Sequence, residues 1–236
     1  TAVLTGAALS LSGLQMQTVC RNPLAGPYVL GISAGASLGV ALFALGFSSA
    51  LTWSFMSGTG AWSLALVAWS GAFLVMLLVL FVSARVNDNM TILILGILFS
   101  SAASSIVSIL QYFSSEAMLK SFVVWTMGSL GGVTFSQLAV LVPATVAVVL
   151  IAFYKTKDLN AFLLGENYAR SLGVNIIRSR LVIFFGASLL AGTITAFCGP
   201  IGFIGTAVPH LARVMFKTAN HLVLVPAVIL TGANVM

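Results

Sequence analysis

A chain of 236 residues that is 60% hydrophobic and only 6% charged cannot clothe a water-soluble domain of that size, and from Asn22 to Ala84 it holds no Asp, Glu, Lys or Arg at all. Apolar runs of about 20 residues cross the hydrocarbon as helices, because in lipid each span must close its own backbone hydrogen bonds; the alternating pattern of a barrel strand is absent. The expected class is all-α, a polytopic α-helical membrane protein, and its net charge of +6 is spread over loops near anionic headgroups, with no nucleic-acid partner needed to explain it.

Cutting the apolar sequence at Gly, Pro, Ser and Asn clusters predicts about eight spans by the length rule. They lie near 1–19, 31–47, 62–83, 91–112, 135–154, 179–198, 201–216 and 222–236. Arg21 closes the first span, and two more spans return the chain to the same side at Arg85. The fourth leads to Glu116 and Lys120 on the opposite side, and the fifth returns it to Lys155 and Lys157. Arg170, Arg178, Arg180, Arg213 and Lys217 share the side of Arg21, so Lys120 alone among the basic residues faces the other way. The positive-inside rule makes the crowded side cytoplasmic.

Along this path Gly and Pro concentrate in two places, Asn22-Pro-Leu-Ala-Gly-Pro-Tyr-Val-Leu-Gly31 and Gly199-Pro-Ile-Gly-Phe-Ile-Gly-Thr-Ala-Val-Pro-His210. Proline removes a helical donor, and such breaks survive at membrane depth only where protein or a water-filled cavity satisfies the freed groups. Paired breaks point to a transporter, while small residues such as Gly31, Gly35 and Gly39 also serve close helix packing. Trp53, Trp62 and Trp69 read as an interfacial aromatic belt. Between the fifth and sixth spans, Gly165-Glu-Asn-Tyr-Ala-Arg-Ser-Leu-Gly173 places several of the few charges on a short helix-forming loop, which reads as a cytoplasmic docking helix. Its glycines allow sharp entry and exit turns. Ala169 and Leu172 can present one apolar face, and Glu166 and Arg170 form an i, i+4 pair.

Cys20 and Cys198 fall on opposite sides and read as small packing residues. His210 and His221 match no zinc spacing, so no metal and no cofactor is expected. No carboxylate pair or serine nucleophile with a nearby base is present, so no catalytic residue is assigned and the chain is not expected to be an enzyme.

Taken together, Leu11-Ser-Gly-Leu-Gln-Met-Gln17, Arg21-Asn-Pro-Leu-Ala25, Gly31-Ile-Ser-Ala-Gly-Ala-Ser-Leu-Gly39, the Gly165–Gly173 run, and Gly199-Pro-Ile-Gly-Phe-Ile-Gly205 with Pro209-His-Leu-Ala-Arg213 resemble the FecCD-type permeases. The motifs match in order and spacing across nearly the whole chain. These permeases are membrane subunits of ATP-binding-cassette importers for ferric siderophores, haem and cobalamin. The resemblance implies a ten-span fold, a second permease copy forming a homodimer, cytoplasmic ATPase subunits, an extracytoplasmic substrate-binding protein, and a multi-pass place in the bacterial cytoplasmic (inner) membrane. Mapped onto that plan the chain runs from the second span into the ninth. Residues 1–236 are then one transmembrane permease domain, incomplete at both ends, with 158–175 as cytoplasmic coupling helices.

The resemblance also assigns sites. Gly165, Glu166, Ala169, Arg170, Leu172 and Gly173 are similar to the element that sits in a groove of the ATPase. Ser100, Ser101, Ser104, Ser105 and Ser108 lie on the span whose equivalent lines the translocation pathway, and serines four apart make a polar stripe that any of the three cargoes would tolerate. Asp88, Asn89 and Met90 lie in the loop equivalent to the cytoplasmic gate, although an ordinary polar turn is the other reading. An ion-coupled secondary transporter is the alternative function, but such a carrier usually needs intramembrane ionisable residues. No Gly-x-x-x-x-Gly-Lys-Ser/Thr loop occurs, so ATP hydrolysis is expected in a separate subunit.

The orientation is testable with single cysteines at Ser57 and Lys157 in a cysteine-free background. An impermeant maleimide on intact cells should label Ser57→Cys and spare Lys157→Cys, and the reverse pattern would invert the topology.

Overall fold

The structure, a computed structural model, describes residues 1–46, 61–86 and 89–236. Among these residues it is all helical, with eleven helices: α1 (Ala2–Cys20), α2 (Ile32–Gly46), α3 (Ala61–Arg85), α4 (Asn89–Phe113), α5 (Glu116–Thr126), α6 (Phe135–Tyr154), α7 (Thr156–Leu163), α8 (Glu166–Ser171), α9 (Ile176–Cys198), α10 (Ile204–Phe216) and α11 (His221–Val235). Four helices are long and apolar enough to cross a membrane by length and composition: α3, α4, α6 and α9.

The helices α1 and α9 form the centre. From Thr5 to Cys20 every residue of α1 is buried, and α9 is buried along most of its length. Two apolar clusters flank this pair. One gathers α2, α3 and the inner parts of α1 and α9 with α7 and α8; the other gathers α6, α10 and α11 with the outer half of α1. The helix α4 packs mainly on α2 and leaves most of its surface outward.

The segment expected as a span at 31–47 carries α2 from Ile32, described as far as Gly46, and that at 201–216 gives α10, only 13 residues. At 1.5 Å per residue α10 covers about 20 Å, short of a hydrocarbon core of about 30 Å. Each is preceded by non-helical backbone, and these are the two Gly/Pro segments. They meet in the middle of the bundle, where Gly26 and Pro27 lie against Thr206 and Gly205, and Gly205 lies against Leu9 and Gly13 of α1. A Cβ on Gly13 would overlap the Gly205 carbonyl, so only glycine lets α10 begin there.

The segment expected to be a simple external connection around 114–120 instead carries the extra helix α5, whose Phe122 is buried in the first cluster. Trp69 sits between helices and donates its indole N–H to the Thr193 hydroxyl at 3.2 Å, a packing role in place of the interfacial belt. Trp62 stacks edge-on against Phe197, and Trp53 lies outside the described residues. Cys20 and Cys198 are both buried free thiols at opposite ends of α1, Cys198 beside Thr5.

The approach of α2 and α3 is set by Gly35 and Gly71, since a Cβ on Gly71 would run into the Gly35 carbonyl. Gly71→Ala should therefore cost about 1–3 kcal/mol and lower the thermal unfolding midpoint of the detergent-solubilised protein. Gly131→Ala is the control: nothing stands within 4 Å of its added Cβ, so it should be neutral.

Candidate functional site

Two features stand out from the framework, a polar cavity beside α4 and a braced platform at the basic end of the molecule. The cavity, about 310 Å³, is lined by Ser33 and Ser37 of α2, by Ser100, Ser104, Ser108 and Gln111 of α4, and by Phe122 and Thr126 of α5, with Tyr28 and Pro200 from the two irregular segments. The five serines expected on one polar stripe divide. Ser100, Ser104 and Ser108, four residues apart, line the cavity, whereas Ser101 and Ser105 are exposed on a neighbouring face. Ser100, Ser101, Ser105 and Ser108 each return a hydrogen bond to the carbonyl four residues earlier, which hides their donors within the helix and leaves a weakly polar wall.

Beneath the bundle, α7 and α8 form a compact platform. Gly165 (φ 108°) and Gly173 (φ 83°) make the left-handed turns that enter and leave α8, as the glycine spacing suggests. Leu159, Phe162 and Ala169 are buried in the apolar cluster that also holds Ile176 of α9. Ala169 therefore faces its own protein, not outward with Leu172 as the sequence pattern suggests. Tyr168 and Leu172, four residues apart, are instead 53% and 58% exposed, and Leu164 before them is 62% exposed. This exposed apolar surface is the outer face of the platform.

The expected Glu166–Arg170 pair is absent. Arg170 is exposed, and both carboxylate oxygens of Glu166 accept from Nη2 of Arg180 of α9, at 3.0 and 3.1 Å. The same guanidinium donates through Nη1 to the carbonyl of Val86, just beyond the end of α3, at 3.0 Å. At α7, Asp158 accepts from Lys155 at 2.7 Å and from the Ser179 hydroxyl at 2.6 Å. Asn160 reaches the start of α11: its Oδ1 accepts from the His221 backbone N–H at 2.9 Å and lies 2.7 Å from His221 Nδ1, while His221 Nε2 lies 2.8 Å from the Thr18 hydroxyl of α1. A neutral imidazole protonated at Nδ1 donates to Asn160, while the one proton of the Thr18 hydroxyl is shared between His221 Nε2 and the Leu14 carbonyl, 2.8 Å from each. The platform is thus tied to α1, α3, α9 and α11. No sequence period links Glu166 to Arg180 or Asn160 to His221. Of the expected gate, Met90 is exposed in the first turn of α4, Asn89 begins that helix, and Asp88 lies outside the described residues.

The sequence matches the FecCD transport family over residues 1–236. It is 34% identical over 235 residues to a relative from Methanocaldococcus jannaschii assigned as an ABC transporter permease, covering 100% of this chain and 66% of the relative. To the hemin transport system permease protein HmuU of Yersinia pestis it is 34% identical over 233 residues, covering 98% of this chain and 68% of that one. To the vitamin B12 import system permease protein BtuC of Klebsiella pneumoniae it is 33% identical over 234 residues, with 99% and 68% covered. The chain thus spans about two thirds of the length of the curated relatives it matches. Among solved structures it superposes with a TM-score of 0.86 and 30% identity on an inward-facing conformation of a metal-chelate type ABC transporter, covering 99% of this chain and 72% of that one.

Because Ala169 has no exposed surface, Ala169→Glu should bury a carboxylate without a partner and cost more than about 3 kcal/mol. The measurable outcome is a lower yield of monodisperse permease, before any partner is added. An undiminished yield would show that Ala169 packs elsewhere.

Proposed function

The chain belongs to the FecCD transport family, and from that premise we propose that it is the membrane-spanning permease subunit of an ATP-binding-cassette importer carrying a metal chelate, such as a ferric siderophore or haem, or cobalamin into the cytoplasm. It is a multi-pass membrane protein, and we place it in the cytoplasmic membrane. Its partners in this reading are a second permease copy, two cytoplasmic ATPase subunits that hydrolyse the ATP, and an external substrate-binding protein.

The observation that carries the proposal is the platform. Helices of eight and six residues do not hold themselves together in water, yet α7 and α8 are fixed by buried apolar residues and by polar bonds to several membrane helices. A surface so braced, with Leu164, Tyr168 and Leu172 left outward, suits the transmission of force from a docked partner. In this reading Gly165 and Gly173 shape the element, Leu172 enters the ATPase groove, Arg170 sits at the rim, and Ala169 and Glu166 anchor the element to the permease. Residues 158–175 would then be the coupling segment.

The cavity supports the same reading. Ser100 and Ser108, whose hydroxyls bond back into their own helix, and Ser104 between them supply a weakly polar wall along which a bulky cargo can slide. At about 310 Å³ it sits at the lower end of ordinary ligand pockets, so a bulky chelate requires the facing wall of the second copy, on which Ser101 and Ser105 would lie. Among the described residues the carboxylates are Glu116, Asp158 and Glu166, all at helix starts and away from the middle of any span. That placement favours ATP-driven transport over an ion-coupled carrier.

Leu172→Glu tests the docking role without disturbing the core. Introducing a charge into an apolar contact should weaken ATPase binding by at least about tenfold, seen as loss of the ATPase on co-purification, while the permease itself remains monodisperse. Unchanged co-purification and transport would remove α8 from the interface.

A further inference from the structure

The family match does not account for Arg180. This residue is 1% exposed, among the largest fully buried side chains in the described structure. It lies 14 residues from Glu166 in sequence and 94 from Val86, and it binds both. A buried guanidinium is costly to desolvate, and an apolar side chain of similar volume often packs as well or better. Its retention at a junction of three elements is explained if its geometry is used.

We propose that Arg180 is a positioning residue for transport, a clasp that makes the coupling helix α8, the start of α9 and the inner end of α3 move as one body. The proposal rests on the docking role of α8 argued above. Nη2 donates to both oxygens of the Glu166 carboxylate at 3.0 and 3.1 Å, and Nη1 holds the Val86 carbonyl at 3.0 Å. The two nitrogens belong to one rigid plane, so the two partners are held at a set distance and angle from each other. Displacement of α8 is then delivered to Val86, and so to α3. From α3 it passes to α2, because Gly71 sits backbone to backbone against Gly35 and Gly39. Helix α2 carries Ser33 and Ser37, which line the cavity. The chain of contacts from Glu166 to Ser37 is continuous, and beyond the Arg180 guanidinium it runs through backbone.

Lysine in place of Arg180 keeps the positive charge but offers one nitrogen in place of two on a rigid plane, so it cannot span Glu166 and Val86 together. Glu166→Gln, at the more exposed end of the pair, keeps the volume and removes the charge-assisted grip. The test uses the complete permease with its ATPase in lipid nanodiscs, with Cys20 and Cys198 replaced and Ser37→Cys as reporter. Two quantities are read: the amount of ATPase that co-purifies, and the change on adding ATP in the rate at which a small methanethiosulfonate modifies Ser37→Cys.

In otherwise unaltered protein ATP should change that rate. With Arg180→Lys or Glu166→Gln the change should shrink by about tenfold while the ATPase stays bound. A purely structural role would lower yield or thermal stability and leave the response of the assembled fraction intact, and that result would overturn the clasp. Should Arg180→Lys fail to yield folded protein, Glu166→Gln decides alone. Absence of the ATPase from the unaltered protein would instead overturn the docking role, and the clasp with it.

Discussion

The rest of this architecture depends on how it satisfies main-chain groups where helices stop inside the bundle. In hydrocarbon an unpaired carbonyl costs several kcal/mol, and two segments here leave the helical path at the same depth. Gln17, almost fully buried on α1, supplies the solution. Its amide nitrogen donates to the Pro23 carbonyl at 2.8 Å and to the Thr206 carbonyl at 3.0 Å, one from each segment, and its oxygen accepts from Arg213 of α10. The remaining groups close locally: Ala25, Val29 and Gly31 donate within the first segment, and Thr206 and Ala207 donate back to Phe203 in the second. Because both breaks are held to one side chain, the starts of α2 and α10 are fixed relative to each other. Tyr28 and Pro200, carried on those same segments, are thereby brought to the cavity wall.

The platform of α7 and α8 follows a different logic. Short helices are ordered there by contacts to other elements, and the contacts are ionic or charge-assisted at two of three corners. Such bonds are directional, so they define orientation where an apolar contact would tolerate sliding. The apolar residues beneath, Leu159, Phe162 and Ala169, contribute the burial that holds the short helices down. The chain reverses at Gly165 and Gly173, where it turns through positive φ.

How much of this was legible in the sequence differs by the range of the interaction. The long apolar helices α3, α4, α6 and α9 lie where spans are expected, because apolar length is a property each segment carries by itself. The Gly/Pro breaks were visible too, although that they meet depends on Gln17 and on the close approach of Gly13 and Gly205, which no local pattern reveals. Within α8 the sequence offered Arg170 as the partner of Glu166 because helical periodicity is the only spacing a single chain displays. Arg180 won because it comes from another helix and can be buried with the carboxylate. The same limit explains Ala169, whose inward facing is set by α9 and not by α8. Serines at 100, 101, 104, 105 and 108 satisfy two adjacent helical faces equally well, and only the packing of α4 on α2 separates them. The short α5 was missed because eleven residues are too few for a span and carry no strong period.

The Asn160 contact carries an implication for biosynthesis. Asn160 on α7 obtains its His221 partner from a helix that begins 61 residues later. On a ribosome, α7 emerges before α11, and until α11 has folded one corner of its support does not exist. A chain without α11 accordingly lacks one of the three braces of the platform. Order in this platform is therefore acquired stepwise during synthesis, with the bonds to Ser179 and Arg180 available before the one to His221.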